Sequence, residues 1–380
     1  MTEPGTRAGQ SGASRAPERP VRVAYVIGTL DVGGTEGQLV ALVTALDRQR
    51  CVPIVYCLSQ TGVLAGALTD AGIPVRDFGL RRLSAWRSPL AVGRRVLRVL
   101  RAMREDRPDV VHGLLFHGYC LGAFVGRASG VPVLVASRRS LGNFKANRAF
   151  YRLAERLANR LTDVVVANSD AVRADALRQE GLPPEKVVVI HNGLALERFD
   201  SPGDPELRRA LGLERAQAIV AVVANLIRYK GHQVFLEAWG DVAARFPGAV
   251  ALLVGDGPER ADLEALARAS GLTPSLRFLG SRHDVPGLLA LADLLVHPSR
   301  EEGFSNAILE AMAARRPVVA TAVGGSVEAV VPGVTGLLVP PDDSHALAEA
   351  MIWMLGHPEE ARAFGEAGRR RVAERFELSG

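Results

Sequence analysis

Short apolar runs alternate with segments of helical periodicity through the first half of the chain. The runs are continuous, which is typical of strands buried on both faces of a parallel sheet. The segments between them repeat apolar residues at helical spacing, as over residues 38–46. The strands predicted in this half are residues 21–27, 52–58, 109–112, 131–136, 163–167 and 187–190.

The same alternation restarts after residues 200–205, a stretch of Asp, Ser, Pro and Gly that is typical of a linker. Its strands are predicted at residues 218–224, 249–254, 276–279, 294–297 and 318–320, with helices between them and two closing helices. The pattern therefore predicts an α/β fold of two doubly wound, Rossmann-like domains, residues 20–200 and 201–380. Ligands of such folds bind at the carboxyl ends of the strands, so we expect a site in the cleft between the domains.

Composition agrees with two globular cores in a chain of 380 residues, because 48% of the residues are apolar and 23% are charged. Residues 1–19 consist largely of Gly, Pro, Ser, Ala and charged residues, so we expect a disordered tail there. The sequence has neither a run of about 18 apolar residues nor an apolar N-terminal core, so we expect no spanning helix and no secretory signal. The expected compartment is the cytoplasm.

The cysteines are Cys51, Cys57 and Cys120, an odd number that lie far apart in the sequence. They form no Cys-x-x-Cys pair and have no histidine at zinc-ligand spacing. We therefore predict three buried thiols rather than a disulfide or a metal site.

Gly33 and Gly34 follow the first predicted strand and open the first helix. Their turn lacks the Gly-x-Gly-x-x-Gly fingerprint, which removes the main support for a nicotinamide cofactor. Adjacent glycines let a ligand approach the backbone closely at the positive end of a helix. A tight turn without a ligand explains the same residues equally well.

Glu302 lies in a loop between a predicted strand and a helix that is predicted to begin near Ser305. The backbone N–H groups of Phe304, Ser305 and Asn306 have no partner within such a helix. They point at whatever occupies the helix end, and an anion such as a diphosphate suits them.

Glu310 lies one helical turn after Asn306 on the same face, so its carboxylate can reach back to nearby hydroxyls, for instance those of a ribose. The helical distance from Glu302 to Glu310 is about 12 Å, whereas the carboxyl pairs of glycoside hydrolases lie roughly 5 to 9.5 Å apart. We therefore expect two separate hydroxyl-binding carboxylates rather than a hydrolytic pair.

Glu302 and Glu310 match the Glu-x7-Glu motif of the retaining glycosyltransferases of family 4, the group 1 sugar transferases, and the chain resembles that family over most of its length. The resemblance implies a GT-B fold whose second domain binds a nucleoside-diphosphate sugar and whose first domain binds the acceptor. The other matching segments, in order, are Gly33-Gly34, Ile190-His191-Asn192-Gly193, Lys230-Gly231, Gly255-Asp256-Gly257-Pro258, Phe278-Leu279-Gly280, His297-Pro298-Ser299 and Thr321-Ala322-Val323-Gly324-Gly325.

The resemblance assigns the donor sugar to Glu302, the ribose to Glu310, and the sugar and diphosphate to the backbone amides between them. Lys230 matches the lysine of the family's cationic pair, whereas Asn225 stands where an arginine is common. Arg228 is the nearest substitute, and a solvated loop charge is its alternative reading. The predicted donor-binding residues are Gly33, Gly34, Arg228, Lys230, Gly303, Phe304, Ser305, Asn306 and Glu310.

The resemblance also implies a histidine near the donor sugar, after the strand that here ends at His112. The frequent position two residues on is Leu114 in this chain, so the role falls to His112 or to His117. We favour His117 as the catalytic partner of Glu302 because it lies nearer the start of the next helix and so faces the cleft. A packing role for either histidine is the alternative.

Basic residues concentrate in the first domain: residues 21–200 carry 25 basic and 16 acidic side chains, and residues 201–380 carry 18 and 23. Nine arginines lie between Arg81 and Arg107, and Arg94, Arg98 and Arg101 share one predicted helical face. Because the resemblance places a glycan or lipid-linked acceptor on this domain, the surface suits an anionic membrane face. Solvated helix faces are the alternative, and scarce aromatic residues argue against nucleic acid. A second cluster comprises Arg138, Arg139, Lys145, Arg148, Arg152, Arg156 and Arg160.

These observations predict a retaining, metal-independent glycosyltransferase in cell-surface polysaccharide or glycolipid synthesis, peripheral on the inner membrane face. The nucleoside-diphosphate sugar is the co-substrate, and no further cofactor is expected. The alternatives are a nucleotide-sugar epimerase or hydrolase of the same fold and a non-catalytic sugar-binding subunit. The last helix either packs back on the first domain or, because relatives continue past Phe376, leaves the two domains more weakly anchored.

Overall fold

Two parallel sheets, each flanked by helices, form the framework of the protein. The computed structural model describes residues 19–80, 89–142 and 149–378. All strand pairings within these residues are parallel, so the predicted α/β fold with two doubly wound sheets is confirmed. The predicted tail lies outside the described residues except for Arg19, which forms an ion pair with Asp109.

The first sheet has seven strands in the order β3-β2-β1-β4-β5-β6-β7, so the chain changes direction across the sheet between β1 and β4. Its strands are β1 (Val21–Thr29), β2 (Cys51–Gln60), β3 (Val75–Asp77), β4 (Val110–Leu114), β5 (Val133–Arg138), β6 (Val164–Ala167) and β7 (Val187–Val189). The helices of this half are α1 (Gly34–Ala45), α2 (Ala65–Asp70), α3 (Pro89–Asp106), α4 (Leu115–Ala128), α5 (Ala149–Leu161) and α6 (Asp170–Glu180).

The second sheet has six strands in the order β10-β9-β8-β11-β12-β13 and changes direction between β8 and β11. Its strands are β8 (Ala218–Val223), β9 (Ala249–Val254), β10 (Leu276–Gly280), β11 (Leu294–His297), β12 (Val318–Thr321) and β13 (Gly336–Val339). The helices here are α7 (Pro205–Ala210), α8 (His232–Arg245), α9 (Arg260–Ala269), α10 (Val285–Leu291), α11 (Asn306–Ala313), α12 (Ser326–Ala329), α13 (Ser344–Gly356) and α14 (Pro358–Arg375).

Each sheet separates two apolar cores, which explains why its strands read as unbroken apolar runs. In β1, Ala24 and Val26 pack into one core, whereas Val23, Tyr25 and Ile27 pack into the core on the opposite face. The second sheet alternates in the same way. Helices on both faces bury this surface and leave the carboxyl ends of the strands free for ligands.

The apolar pattern predicts most strands to within two or three residues but misses β3 and β13. The first is a three-residue edge strand that includes Arg76 and Asp77, and the second is a four-residue strand that begins with Gly336. Neither has the long apolar run that a strand buried between two neighbours requires. Both lie at an edge of their sheet.

The end of the described chain lies against the segment between the two sheets. The helix α14 packs on α11 of the second sheet. Beyond it, the Phe376 carbonyl accepts a hydrogen bond from the Leu194 N–H at 2.8 Å, and the Leu378 N–H donates to the Leu194 carbonyl at 3.1 Å. Asp200, in the predicted linker, accepts from Arg369 of α14 at 2.8 Å.

Cys51, Cys57 and Cys120 form no disulfide with one another, but they differ in burial. Cys57 and Cys120 are buried, and burial raises the pKa of the Cys57 thiol to about 11. Cys51 is partly exposed at the first position of β2, so the prediction of burial is wrong for this residue.

Candidate functional site

The carboxyl ends of both sheets border a cleft of about 960 Å³. Its walls are loops that follow strands at the two points where the strand order reverses, which is where doubly wound sheets bind ligands. The lining includes Gly33, Gly34, Glu36, Leu115, Arg139, Asn192, Arg198, Asn225, Lys230, Arg282, His297, Glu302, Gly303, Phe304, Ser305, Asn306 and Glu310.

Glu302 is held in this cleft by two cation-forming side chains. Its Oε2 accepts from Lys230 Nζ at 2.6 Å and lies 2.7 Å from His297 Nε2. Burial alone would raise the pKa of Glu302, but the Lys230 ammonium and the His297 hydrogen bond lower it to about 2. Both contacts are made by Oε2, so Oε1 accepts no hydrogen bond from the described chain and is free for a ligand hydroxyl.

The backbone around this cluster requires glycine at two positions. Gly231, directly after Lys230, has φ +71°, and a Cβ there would overlap the Pro298 carbonyl. Gly324 has φ +46°, and a Cβ there would overlap the Glu302 carbonyl. Because L side chains rarely adopt these conformations, the Lys-Gly and Gly-Gly pairs let three loops converge on Glu302.

The N-terminus of α11 points into the cleft beside Glu302. The backbone N–H groups of Phe304, Ser305 and Asn306 donate to no atom of the described chain. Ser305 is the N-cap, and its hydroxyl accepts from the Ile308 N–H at 3.4 Å. The Phe304 side chain is buried, so this residue offers the cleft only its backbone. Free amides and the helix dipole are features that favour an anion at this end of α11.

Glu310, one turn further along α11, also lines the cleft. Burial raises its pKa, and the Arg198 guanidinium opposes that shift. The carboxylate makes no hydrogen bond or ion pair within the described chain, so it remains available to a ligand. Its role as a second hydroxyl binder stays a prediction.

A chain of polar contacts crosses the cleft between the two domains. Asn192 accepts a hydrogen bond from Arg139 and donates to Asn306 Oδ1 at 2.6 Å. Asn306 Nδ2 in turn donates to the Gly34 carbonyl at 3.0 Å. The Gly303 backbone lies so close to the Arg139 carbonyl that a Cβ would overlap it. The two walls are therefore in direct contact at residues 302–306, the predicted donor loop.

The glycine pair of the first domain is arranged differently from the end of α11. Gly33 is the N-cap of α1, and a Cβ there would collide with the Glu36 carboxylate in the first turn. Burial raises the pKa of Glu36. The N-terminus of α1 is thus already covered by a carboxylate, while the Gly34 carbonyl binds Asn306.

Of the two cations predicted for the donor domain, one lies in the cleft and the other does not. Lys230 lines the cleft, whereas Arg228, two residues earlier, is exposed and does not line it. Asn225 does line it. Arg228 begins a short 3-10 turn that directs Lys230 inward and Arg228 to solvent.

Neither histidine of the β4–α4 segment lines the cleft. His112 is bonded to Ser137 of β5 at 2.7 Å, and burial lowers its pKa to about 4. His117 is exposed, and its ring contacts Phe116 and Tyr151. It lines a neighbouring cavity of about 260 Å³. The expectation that His117 faces the cleft is therefore wrong: Leu115, with φ +57°, occupies the cleft wall at the start of α4.

Matches to known families cover both halves of the chain. Residues 33–193 match the family described as "Glycosyl transferase 4-like domain". Residues 217–357 match the family described as "Glycosyl transferases group 1". The chain belongs to the group 1 glycosyltransferases. The predicted family and the two-domain GT-B fold are thereby confirmed.

Two curated relatives of this glycosyltransferase come from actinomycetes. Alpha-D-kanosaminyltransferase of Streptomyces kanamyceticus is 31% identical over 306 residues, which cover 75% of this chain and 78% of that protein. D-inositol 3-phosphate glycosyltransferase of Actinosynnema mirum is 32% identical over 343 residues, which cover 82% of this chain and 81% of that protein.

A solved structure gives the same picture at the level of the fold. Anabaena HepE in complex with UDP and glucose superposes with a TM-score of 0.83 and 26% identity, covering 94% of this chain and 96% of that one. Sucrose-phosphate synthase of Thermosynechococcus elongatus, at 24% identity and a TM-score of 0.75, shares the fold.

The arginine-rich surface of this glycosyltransferase is only partly as predicted. Arg138 is buried, donates to Glu180 at 2.8 Å and to Asn159 at 2.7 Å, and does not contribute to a surface cluster. Arg139 faces the cleft instead of solvent. Exposed positions are Arg94, Arg98, Arg101, Arg152, Arg156 and Arg160. Arg81, Arg82, Arg87, Lys145 and Arg148 lie outside the described residues.

Several residues of the glycosyltransferase cleft are not predictable from the sequence pattern. His297 and Asn192 are parts of matched segments, but nothing in their spacing shows that they hydrogen-bond Glu302 and Asn306. Arg139 was indistinguishable from the surface arginines near it. Its position directly after β5, at the carboxyl end of a central strand, is the signal that could have identified it.

Among the described residues, the glycosyltransferase has no helix that is both long and apolar enough to span a bilayer.

Proposed function

We propose that this chain transfers a hexose-type sugar from a nucleoside-diphosphate sugar to a hydroxyl of a glycan or lipid-linked acceptor, with retention of the anomeric configuration. We propose further that it acts in cell-surface polysaccharide or glycolipid synthesis. The observation that carries the donor proposal is the juxtaposition of Glu302, Lys230 and the free amides of α11 in one cleft.

Positive charge in the cleft favours a leaving diphosphate. The Lys230 ammonium and the N–H groups at the start of α11 are fixed by the surrounding loops, so they require little reorganisation as negative charge develops on the phosphate oxygens. The same fixed charges support the proposal that no metal ion is needed. HepE, whose solved complex contains UDP and glucose, supports a nucleotide-sugar donor for this chain as well.

Two carboxylates are available to bind hydroxyl groups of the donor. Oε1 of Glu302 is available to accept from sugar hydroxyls, since Lys230 and His297 engage the other oxygen. Glu310 is available to accept hydrogen bonds from the hydroxyls of the ribose. The two domains are in contact at Gly303. This contact limits the access of water to the donor sugar, which favours transfer over hydrolysis.

The donor proposal is tested by incubating the protein with UDP-, GDP- and ADP-sugars and measuring nucleoside-diphosphate release with and without glycan or lipid-linked acceptors. We expect release to depend on an acceptor and Glu302→Gln to lose at least about 100-fold in rate. Glu349→Gln, at an exposed position of α13 outside the cleft, is the control. Release or epimerised donor without any acceptor would favour the epimerase or hydrolase, and no turnover with any donor would favour a binding subunit.

Retention and metal independence each have a direct readout. The anomeric coupling constant of the purified product, measured by proton NMR, distinguishes retention from inversion. Addition of EDTA is expected to leave the transfer rate unchanged. A product of inverted configuration, or a rate lost to EDTA and restored by Mg²⁺ or Mn²⁺, would contradict these parts of the proposal.

Peripheral membrane association is supported by the outer face of α3, α4 and α5, which pack side by side on one face of the first sheet. On α5 the exposed side chains include three large apolar residues and three arginines, while its acidic residue, Glu155, is buried. Such a face suits an anionic leaflet, in which apolar side chains insert and arginines meet headgroups. The residues are Phe150, Leu153, Leu157, Arg152, Arg156 and Arg160.

Membrane association is tested by sedimentation with vesicles of phosphatidylglycerol and phosphatidylcholine at low and high salt. We expect salt-dependent pelleting with anionic vesicles. The double variant Phe150→Ser/Leu153→Ser should reduce pelleting, whereas Val334→Ser, an exposed apolar residue of the second domain, should not. Equal pelleting of all three proteins, or none by the wild type, contradicts this proposal.

A further inference from the structure

Four arginine or lysine side chains line the cleft. Two of them form ion pairs with carboxylates, and a third is exposed to solvent. Lys230 is paired with Glu302, and Arg282 is paired with Asp284 at 2.5 Å. Arg198 is exposed to solvent. The fourth cation is Arg139, which is partly buried and forms no ion pair within the described chain.

Arg139 lies directly against the predicted donor loop although it belongs to the opposite domain. Its carbonyl touches the Gly303 backbone, and its guanidinium donates to Asn192, which is also bonded to Asn306 at the start of α11. Burial lowers the pKa of Arg139 to about 10, and Glu36 opposes that shift without forming an ion pair. Among the residues that the structure describes, the guanidinium thus has one neutral acceptor for five N–H donors.

A partly buried guanidinium without a carboxylate partner is costly, so this position favours an anion from outside the chain. The N-terminus of α1 is covered by Glu36, so it is a poor phosphate site for the first domain. On the other wall, Asn225 offers no charge and Arg228 points to solvent. Arg139 and the free amides of α11 therefore enclose the best place for a phosphate group.

We propose that Arg139 is a diphosphate-binding residue that reaches across the cleft to the sugar-proximal phosphate of the donor. The inference rests on the proposed nucleotide-sugar function. Contact with Gly303, the neighbour of the sugar-binding Glu302, places Arg139 at the sugar end of the diphosphate rather than at the nucleoside. It supplies, from the first domain, the second cation that the donor domain lacks.

The test is calorimetric titration of the full chain with UDP, GDP and ADP and with their monophosphates, in the absence of acceptor. For the diphosphate that the wild type binds best, we expect Arg139→Met to weaken binding roughly 10- to 100-fold. The corresponding monophosphate should change less than about threefold, and Arg139→Lys should retain part of the affinity. Circular dichroism and thermal melts establish that each variant is folded.

Arg173→Met is the matched control, since Arg173 is also a partly buried arginine of the first domain with no ion pair in the described chain, and it lies outside the cleft. An equal loss for mono- and diphosphate, or no loss for either, overturns the inference. A separate titration with glucose 6-phosphate probes an acceptor phosphate. If Arg139→Met keeps its nucleoside-diphosphate affinity but loses glucose 6-phosphate binding, Arg139 is assigned to the acceptor and the inference is also overturned. Failure of the wild type to bind any of the three diphosphates overturns the proposed function itself.

Discussion

Glu302 combines deep burial with a full negative charge. The Lys230 ammonium and the His297 ring both contact Oε2, so the ionised form is favoured over the neutral acid. This keeps Oε1 a strong acceptor for a sugar hydroxyl. The ion pair with Glu302 also fixes the Lys230 ammonium beside the loop that precedes α11.

Replacing Glu302 should cost stability in a pH-dependent way. Because the folded state lowers the pKa of Glu302 from 4.5 to about 2, its contribution is fully present above pH 4.5 and is lost as the pH falls through 2. We expect Glu302→Gln to lower the free energy of unfolding at pH 7 by on the order of 3 kcal/mol.

Urea unfolding at pH 7 and at pH 3 measures this effect, with Glu301→Gln as the neighbouring control. The difference between wild type and Glu302→Gln should shrink at the lower pH, because at pH 3 the Glu302 carboxyl of the unfolded chain is largely protonated while that of the folded chain is still largely ionised. An equal difference at both values would show that the Lys230 and His297 contacts do not lower the pKa of this group.

At the scale of elements, Arg138 joins β5 to α5 and α6. Its guanidinium donates to Glu180 of α6 and to Asn159 of α5, and it stacks on the Tyr119 ring of α4 at 3.6 Å. Both partners of the Arg138–Glu180 pair are almost fully buried. One side chain therefore fixes three helices against the end of β5, directly before Arg139.

Arg138→Met should be strongly destabilising because it removes the buried guanidinium that pairs with the buried Glu180 carboxylate. We expect a loss of about 3 to 5 kcal/mol in the free energy of unfolding, measured by urea titration. Arg127→Met is the control, since Arg127 pairs with Asp163 at the surface and should cost about 1 kcal/mol or less. Similar losses for the two variants would contradict the importance assigned to burial.

The neighbours Arg138 and Arg139 show how far the sequence can be read. The apolar runs that form β1, β8 and β11 are predictable because burial on two faces demands them. The loop of Glu302 follows from its place between a strand and a helix. In contrast, the environments of Arg138 and Arg139 depend on Glu180 and Asn192, partners more than 40 residues away, which no local pattern reveals.

At the scale of the molecule, Glu328 connects the two domains. It lies on α12 of the second domain, and its two carboxylate oxygens accept from the N–H groups of Asp170 and Ala171 at 2.8 and 2.9 Å. These amides are the first of α6 in the first domain, so a side chain of one domain caps a helix of the other. Together with the Asn306–Gly34 bond, this contact links the two domains.

Glu328→Ala should therefore shift the protein towards an open arrangement. Loss of a helix cap costs about 1 kcal/mol, so we expect a larger radius of gyration by small-angle scattering and a roughly fivefold loss in kcat/KM for the donor. Glu349→Ala, an exposed glutamate on α13, is the control. An unchanged radius of gyration with unchanged kinetics would show that this contact does not govern closure.

One cation-lined cleft is proposed to act on a nucleotide sugar, and variants of two neighbouring side chains, Lys230 and Arg228, test this proposal. In a single assay of nucleoside-diphosphate release with the best donor and acceptor, Lys230→Met should lose about 100- to 1000-fold in rate. Arg228→Met, whose side chain lies outside the cleft, should remain within about twofold of the wild type. Equal rates for the wild type and Lys230→Met would contradict the central claim.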